Sequence, residues 1–219
     1  MTGKKLTFDS EKHEYKLGDE EVPSVSRILQ ASGINQDYSN LNAYYAKRGN
    51  RIHNLIRWEL QQGLDSSKVD PEIRGWLIRF KRFAGLAQLK PKLLEKALYC
   101  PVYGYAGTID FFGEAFGHDW LLDWKRPGFD ESHRVQLAGA YLPLLETWMR
   151  ENGLGGVVAK VRVGVVSFIG DAPSPKIIPV ETSGQREVFR AALLVTNWRR
   201  RYRGLKLRSE EEESEDAQG

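Results

Sequence analysis

GYAGTIDFFGEAFGHDWLLDWKRP, residues 104–127, is the stretch that decides the fold. Two apolar segments flank Gly117-His118, and a glycine-first pair of this kind closes a two-residue hairpin. That turn predicts Phe116 opposite Asp119, Phe112 opposite Asp123, and Asp110 opposite Lys125. Strand side chains alternate between faces, so Asp123 and Lys125 point one way and Leu122 and Trp124 the other. Asp110 then lies diagonal to Asp123, about 7–8 Å away at the backbone and within bridging reach of one divalent ion. Carboxylates inside an apolar hairpin are costly unless they are paired or bind a cation. Lys125 alone would serve as an ordinary ion pair, but it leaves the second acid unaccounted for. Carboxylate oxygens suit hard ions such as Mg2+ and Mn2+, which polarise a phosphate and acidify a bound water.

Outward from the hairpin, the chain reads as an α/β protein. KLTFD and EYKL alternate about a polar turn as a small β-hairpin. Ser24 caps a short helix running to Gln30. Residues 38–62 and about 71–89 carry apolar residues at helical spacing, with Pro71 in a first turn that tolerates it. Strands are expected at 93–100, 105–116 and 119–125, then a helix at 131–150, a valine-rich strand at 157–168 and a closing helix at 185–203. This order predicts a central mixed β-sheet flanked by helices. Cys100, in a strand, reads as a small buried apolar residue.

Composition narrows the partners. The formal charge is +3, yet residues 209–219 hold six acids and no base; without them 23 acids face 32 bases, leaving +9. Such a body suits a polyanion. The tail has almost nothing to bury and is expected to be disordered and solvated, or to compete for the basic groove as a DNA mimic. The lone cysteine excludes an internal disulfide and a four-cysteine zinc or iron–sulfur site in this chain, and fits a reducing cytoplasm. No apolar run is long enough to span a membrane, and MTGKKLTFDSEK lacks the apolar segment of a secretory signal. There is no phosphate-binding GxxxxGK[ST] loop.

Gly107-Thr108-Ile109-Asp110, followed after an apolar strand by Asp123-Trp124-Lys125, resembles the motif of PD-(D/E)XK nucleases. The likeness is closest to the RecB-like branch, which includes phage exonucleases and the mitochondrial genome maintenance exonuclease. Arg48-Gly49-Asn50-Arg51-Ile52-His53 is similar to that branch's arginine–glycine–x–x–x–histidine helix. Glu95 heads the strand before the glycine–aspartate motif, Gln136 opens the helix after the lysine, and LTFDSEKHEYKL with VPSVSRIL is similar to the lead-in of many phage members. The resemblance covers residues 5–145. It implies a restriction-endonuclease-like core, with a hairpin and helical part over about 1–90 and a catalytic core over about 91–208, forming one nuclease domain over 1–208.

What the resemblance implies for the site is specific. His53, Asp110, Asp123 and the Trp124 carbonyl would bind Mg2+ or Mn2+, Lys125 would be the catalytic lysine, and Glu95 would help hold a second ion or the water. Gln136, Tyr141 and Arg48 would contact DNA. The basic run Arg199-Arg200-Arg201 is a further phosphate-binding candidate, and equally a solvated helix end. The implied activity is exonucleolytic, on single-stranded or frayed DNA ends, in phage or prophage DNA processing beside a recombination or replication partner. The alternatives are an inactive DNA-binding module and a structure-specific endonuclease; the oligomeric state is left open, as is RNA as substrate. The iron–sulfur type of recombination nuclease needs four cysteines and does not fit. Two departures stand out. Tyr141 follows Gln136 by five positions instead of four, about 140° around an ideal helix, and Arg126 replaces the small hydroxyl residue expected after the lysine.

Overall fold

The computed structural model describes residues 4–9, 12, 14–35, 43–61, 63–65, 68–125, 129–168 and 174–204, with the side chains of 43–50 and 157–159 left aside. Strands β1 (Leu6–Asp9), β2 (Glu14–Leu17) and β3 (Glu20–Val22) form a small antiparallel sheet, one strand more than the expected hairpin. Helix α1 (Val25–Ala31) follows, capped as expected by the Ser24 side chain accepting from the Arg27 N–H. Helices α2 (Ala43–Leu60) and α3 (Pro71–Ala87) lead into a five-stranded sheet ordered β4 (Lys90–Cys100), β5 (Tyr105–Ala115), β6 (His118–Lys125), β7 (Arg162–Ser167) and β8 (Lys176–Pro179). Only β6 and β7 run parallel. Their crossover is helical: α4 (Ser132–Arg134), a π-helix (Val135–Tyr141) and α5 (Leu142–Glu151). Helix α6 (Gln185–Arg203) closes the fold, with the bounds the apolar spacing predicts. The expected acidic tail and Arg126 lie outside the described residues. Among the described residues no helix is long and apolar enough to cross a membrane.

The central sheet is buried on both faces. The crossover helices, α1 and α6 cover one face through Leu137, Leu144, Ile28 and Phe189, which pack on Ile109, Phe112, Leu121 and Val165. On the other, α2 and α3 pack Ile52, Ile56, Phe80 and Trp76 against Phe111, Leu122, Trp124 and Val166. Double coverage explains why β6 reads as an almost unbroken apolar run in which Asp123 is the exception.

Three expectations need correction. The hairpin turns at Phe116-Gly117, one residue before Gly117-His118, with φ of 50° and 73°. Both values are positive, as a type I′ turn requires. Phe116 accepts that conformation because its N–H donates to the Ala87 carbonyl at the end of α3, 2.7 Å away. Next, residues 155–160 wind into a 3-10 helix, so the strand begins at Arg162 and not near 157. β7 pairs from Trp120–Arg162 onward, and an earlier start would run past the end of β6 to a turn with no ladder partners. Finally, the helix expected at 131–150 is α-helical only at its ends. Pro143 has no N–H, and its ring would collide with the Gly139 carbonyl in α geometry. The backbone widens before it, with the Leu142 N–H bonding back to Leu137 O.

Candidate metal centre

Moving the turn back one residue re-pairs the hairpin two positions along while keeping each residue's face. The observed pairs are Ala115–His118, Gly113–Trp120, Phe112–Leu121 and Phe111–Leu122, where the β5–β6 ladder stops. One step further, Asp110 is level with Asp123, and the expected opposition of Asp110 to Lys125 does not form. The ladder stops because Asp110 uses its side chain in place of its backbone: Oδ2 accepts the Trp124 N–H at 3.0 Å.

On the other edge of β5, Glu95 stands opposite Asp110, between the Leu94–Phe111 and Lys96–Ile109 pairs. Glu95 has φ of 44°, a left-handed conformation that costs a non-glycine residue roughly 1–2 kcal/mol. Its consequence is a skipped beat in both strands. Leu93 and Phe112 face the crossover helices and Leu94 and Phe111 face α2 and α3, yet Leu98 and Ile109 face the crossover helices again. Strict alternation forbids that pattern, so β4 and β5 kink together at Glu95 and Asp110. Strain retained at one point of an otherwise regular sheet marks a place where side-chain direction matters more than strand regularity.

The kink aims both carboxylates at α2, where His53 waits. His53 Nδ1 lies 3.4 Å from Asp110 Oδ2 and 3.7 Å from Glu95 Oε1. One ligand atom from each of His53, Glu95 and Asp110 falls within 4.8 Å of the others. Asp110 and Asp123 are 8% and 3% exposed, whereas about a third of the His53 side chain, 32%, meets solvent. The centre is therefore buried on its strand side and open beside the histidine.

Electrostatics follow from that placement. Burial, with Asp123 and Glu95 adding to it, pushes the Asp110 carboxyl well above the usual range against the pull of His53 and Lys125. Burial also disfavours a charged His53, but Asp110 and Glu95 outweigh it and carry its pKa up to about 9. At Asp123 burial opposes ionisation too; the Lys125 ammonium, 2.8 Å from Oδ2, overcomes it and holds the pKa below the ordinary value. Asp123 Oδ2 and Glu95 Oε1 are both buried, the first against that ammonium and the second beside the His53 imidazole. Among the described residues, Lys125, His53 and His133 are the basic groups near the three acids. A divalent cation fits this donor set, which offers an imidazole nitrogen and several carboxylate oxygens.

Around the carboxylates lies a polar rim. Gln136 Nε2 donates to Tyr141 Oη at 3.1 Å. The 140° separation expected of an α-helix does not apply, because residues 135–141 are π-helical and the larger turn brings positions five apart together. Tyr141 lies within electrostatic reach of Asp123 and Asp110, and burial first, then Tyr15 and those acids, pushes its phenol well up. Gly107 makes room for it, since a Cβ there would sit 2.7 Å from Tyr141 Cε1.

Two nearby residues escape sequence reading. Tyr15 reaches in from β2 to bond Thr108 Oγ1 at 2.7 Å, and burial raises its pKa to about 12, with Asp110 and Glu95 contributing. His133 accepts the Asp130 N–H at Nδ1, 3.1 Å away, which leaves the proton on Nε2 when the ring is neutral. Burial, then Lys125, lowers its pKa. A lone tyrosine in a terminal hairpin and a histidine between polar residues carry no spacing signal; only tertiary contact assigns them. The remaining candidates are dispersed. Arg48 is in α2, its side chain outside the described residues; Arg199 donates to the Ala31 carbonyl, and Arg200 and Arg201 lie near the far end of α6.

No protein-family model matches the chain, and neither does any curated protein. Among solved structures it is similar to LHK-Exo in complex with dAMP, at 13% identity and a TM-score of 0.30, over 84% of this chain and 95% of that one.

Proposed function

We propose that this chain is a Mg2+- or Mn2+-dependent deoxyribonuclease of the PD-(D/E)XK type, its domain spanning residues 1–208. The observation that carries the reading is the convergence of His53, Glu95 and Asp110 beside the buried Asp123–Lys125 pair. Four sequence segments, read separately, supply those residues in the order the resemblance implies.

His53, Glu95, Asp110, Asp123 and the Trp124 carbonyl are the groups that would hold the ion. When bound, such an ion polarises a phosphate oxygen and makes a neighbouring water more acidic. The chain's own residues do the rest. Lys125, paired with Asp123, donates to the attacking water or to a phosphoryl oxygen and offsets charge that grows on it. Asp110 and Glu95 fix the nucleophile's side of the phosphorus. Gln136 and Tyr141, held together by the π-helix, present polar groups to the neighbouring strand. Hydrolysis adds water across one P–O ester bond, forming a new P–O bond and protonating the departing alcohol oxygen. The solvent-facing side of His53 suits entry of a strand end, and the preferred substrate is single-stranded or frayed DNA cut exonucleolytically.

Digestion of end-labelled single- and double-stranded DNA with Mg2+ or Mn2+ tests this. Shortening from an end, abolished by EDTA and by Lys125→Ala, is expected. Cleavage that survives both would overturn the mechanism, and binding without any cleavage would leave a binding module of the same architecture.

A further inference from the structure

Helix α6 buries Phe189, Ala192, Leu193 and Thr196 and turns an opposite face to solvent. That face changes character along its length. Towards the C-terminus it carries Trp198 and Tyr202, 51% and 62% exposed, with ring centroids 5.9 Å apart. Arg203 lies 5.8 Å from the Trp198 ring and Arg201 lies 5.4 Å from the Tyr202 ring. From residue 188 to 204 there are five arginines and no acid. Among the described residues, Arg200, Arg201 and Arg203 have no carboxylate partner.

The buried face of α6 is anchored to α1, which in turn leads towards the crossover helices. Thr196 Oγ1 bonds the Ile28 carbonyl and Arg199 the Ala31 carbonyl, fixing α6 to the end of α1. Just beyond α1, Asn35 Oδ1 accepts from Ser132 Oγ at 3.5 Å. The next residue, His133, is within electrostatic reach of Lys125 and Asp123.

We infer that the C-terminal half of α6 is an accessory platform for single-stranded DNA, on which Trp198 and Tyr202 stack bases while Arg201 and Arg203 hold phosphates. The choice of DNA over another polyanion rests on the nuclease reading. Exposed rings need unpaired bases, whose faces a duplex hides, and the arginines match the strand's charge. A second copy of the chain is the poorer occupant, because pairing two such faces would set the arginines of one copy against those of the other.

Fluorescence anisotropy of the full chain with labelled oligothymidylate, in EDTA and across a salt series, tests the platform. Trp198→Ala with Tyr202→Ala should weaken binding at least about tenfold, since each stacked base contributes on the order of 1–3 kcal/mol. The Phe pair, Trp198→Phe with Tyr202→Phe, should restore most of it. Replacing Arg201 and Arg203 by Ala should flatten the slope of log affinity against log salt by about 1.4, at roughly 0.7 per phosphate contact. Affinity and slope unchanged in both variants would overturn the inference. So would a wild-type dimer in light scattering that the aromatic-to-Ala pair dissociates, which would make the face a protein interface. Binding is measured without metal, so a wild type that binds here yet does not cleave DNA once Mg2+ or Mn2+ is added would sink the nuclease reading and leave the platform standing.

Discussion

The two ends of the β4–β5–β6 sheet treat their acids oppositely. Near the hairpin turn, Glu114 pairs with Lys90 at 2.8 Å and Asp119 with Lys92 at 2.6 Å, across strands and in contact with solvent. At the other end, Glu95, Asp110 and Asp123 crowd around Lys125 and His53, the two aspartates are buried, and β4 and β5 kink to bring Glu95 and Asp110 face to face. The turn end is ordinary surface electrostatics. The far end gathers buried acids that folding alone does not reward, and that contrast is the ground for proposing the site there.

The largest expected effect that would break this contrast is catalytic. Asp110→Asn, Glu95→Gln or Lys125→Ala should lower cleavage of labelled DNA by about a hundredfold or more, because each removes part of several kcal/mol of transition-state stabilisation. Full activity in any of them would dissolve the distinction between the two ends. The second effect sharpens the contrast through stability. In EDTA, Asp110→Asn should melt higher than wild type, since a buried carboxyl crowded by two others is replaced by a neutral amide. Mg2+ or Mn2+ at about a hundred times its Kd should stabilise wild type by about 2.7 kcal/mol and the variant far less. Equal shifts in the two proteins would place the ion elsewhere.

A smaller effect concerns the rim. Gly107→Ala should destabilise the fold by about 1–3 kcal/mol and reduce cleavage, because its methyl group would displace Tyr141. An unperturbed near-UV spectrum with full activity would show that Tyr141 needs no such space. The smallest effect belongs to the turn end. Lys90→Ala or Lys92→Ala should change stability by no more than about 1 kcal/mol and leave cleavage alone, as exposed pairs do. A large loss in denaturant melts would mean that both ends matter alike.

Much of this was legible in the residues. Alternation and helical spacing gave most of the order of elements and the bounds of α6. Asp110, Asp123 and Lys125 were singled out by type and spacing, His53 and Glu95 by the family resemblance. The geometry among them was less legible. The pairing was misplaced by one turn residue because nothing local says that the end of α3 will bind the Phe116 N–H. Lys176–Pro179 gave no strand signal, being four residues long and set among prolines, and forms only because β7 offers it an edge.

The sequence by itself determined which side chains are available for chemistry, since residue type and periodicity are local properties of the chain. Tertiary structure alone decided that Glu95 takes a left-handed backbone, that a π-helix joins Gln136 to Tyr141, and that Tyr15 and His133 border the carboxylates. Each of these is a locally unfavourable or silent choice, stabilised only by contacts between segments far apart in the chain.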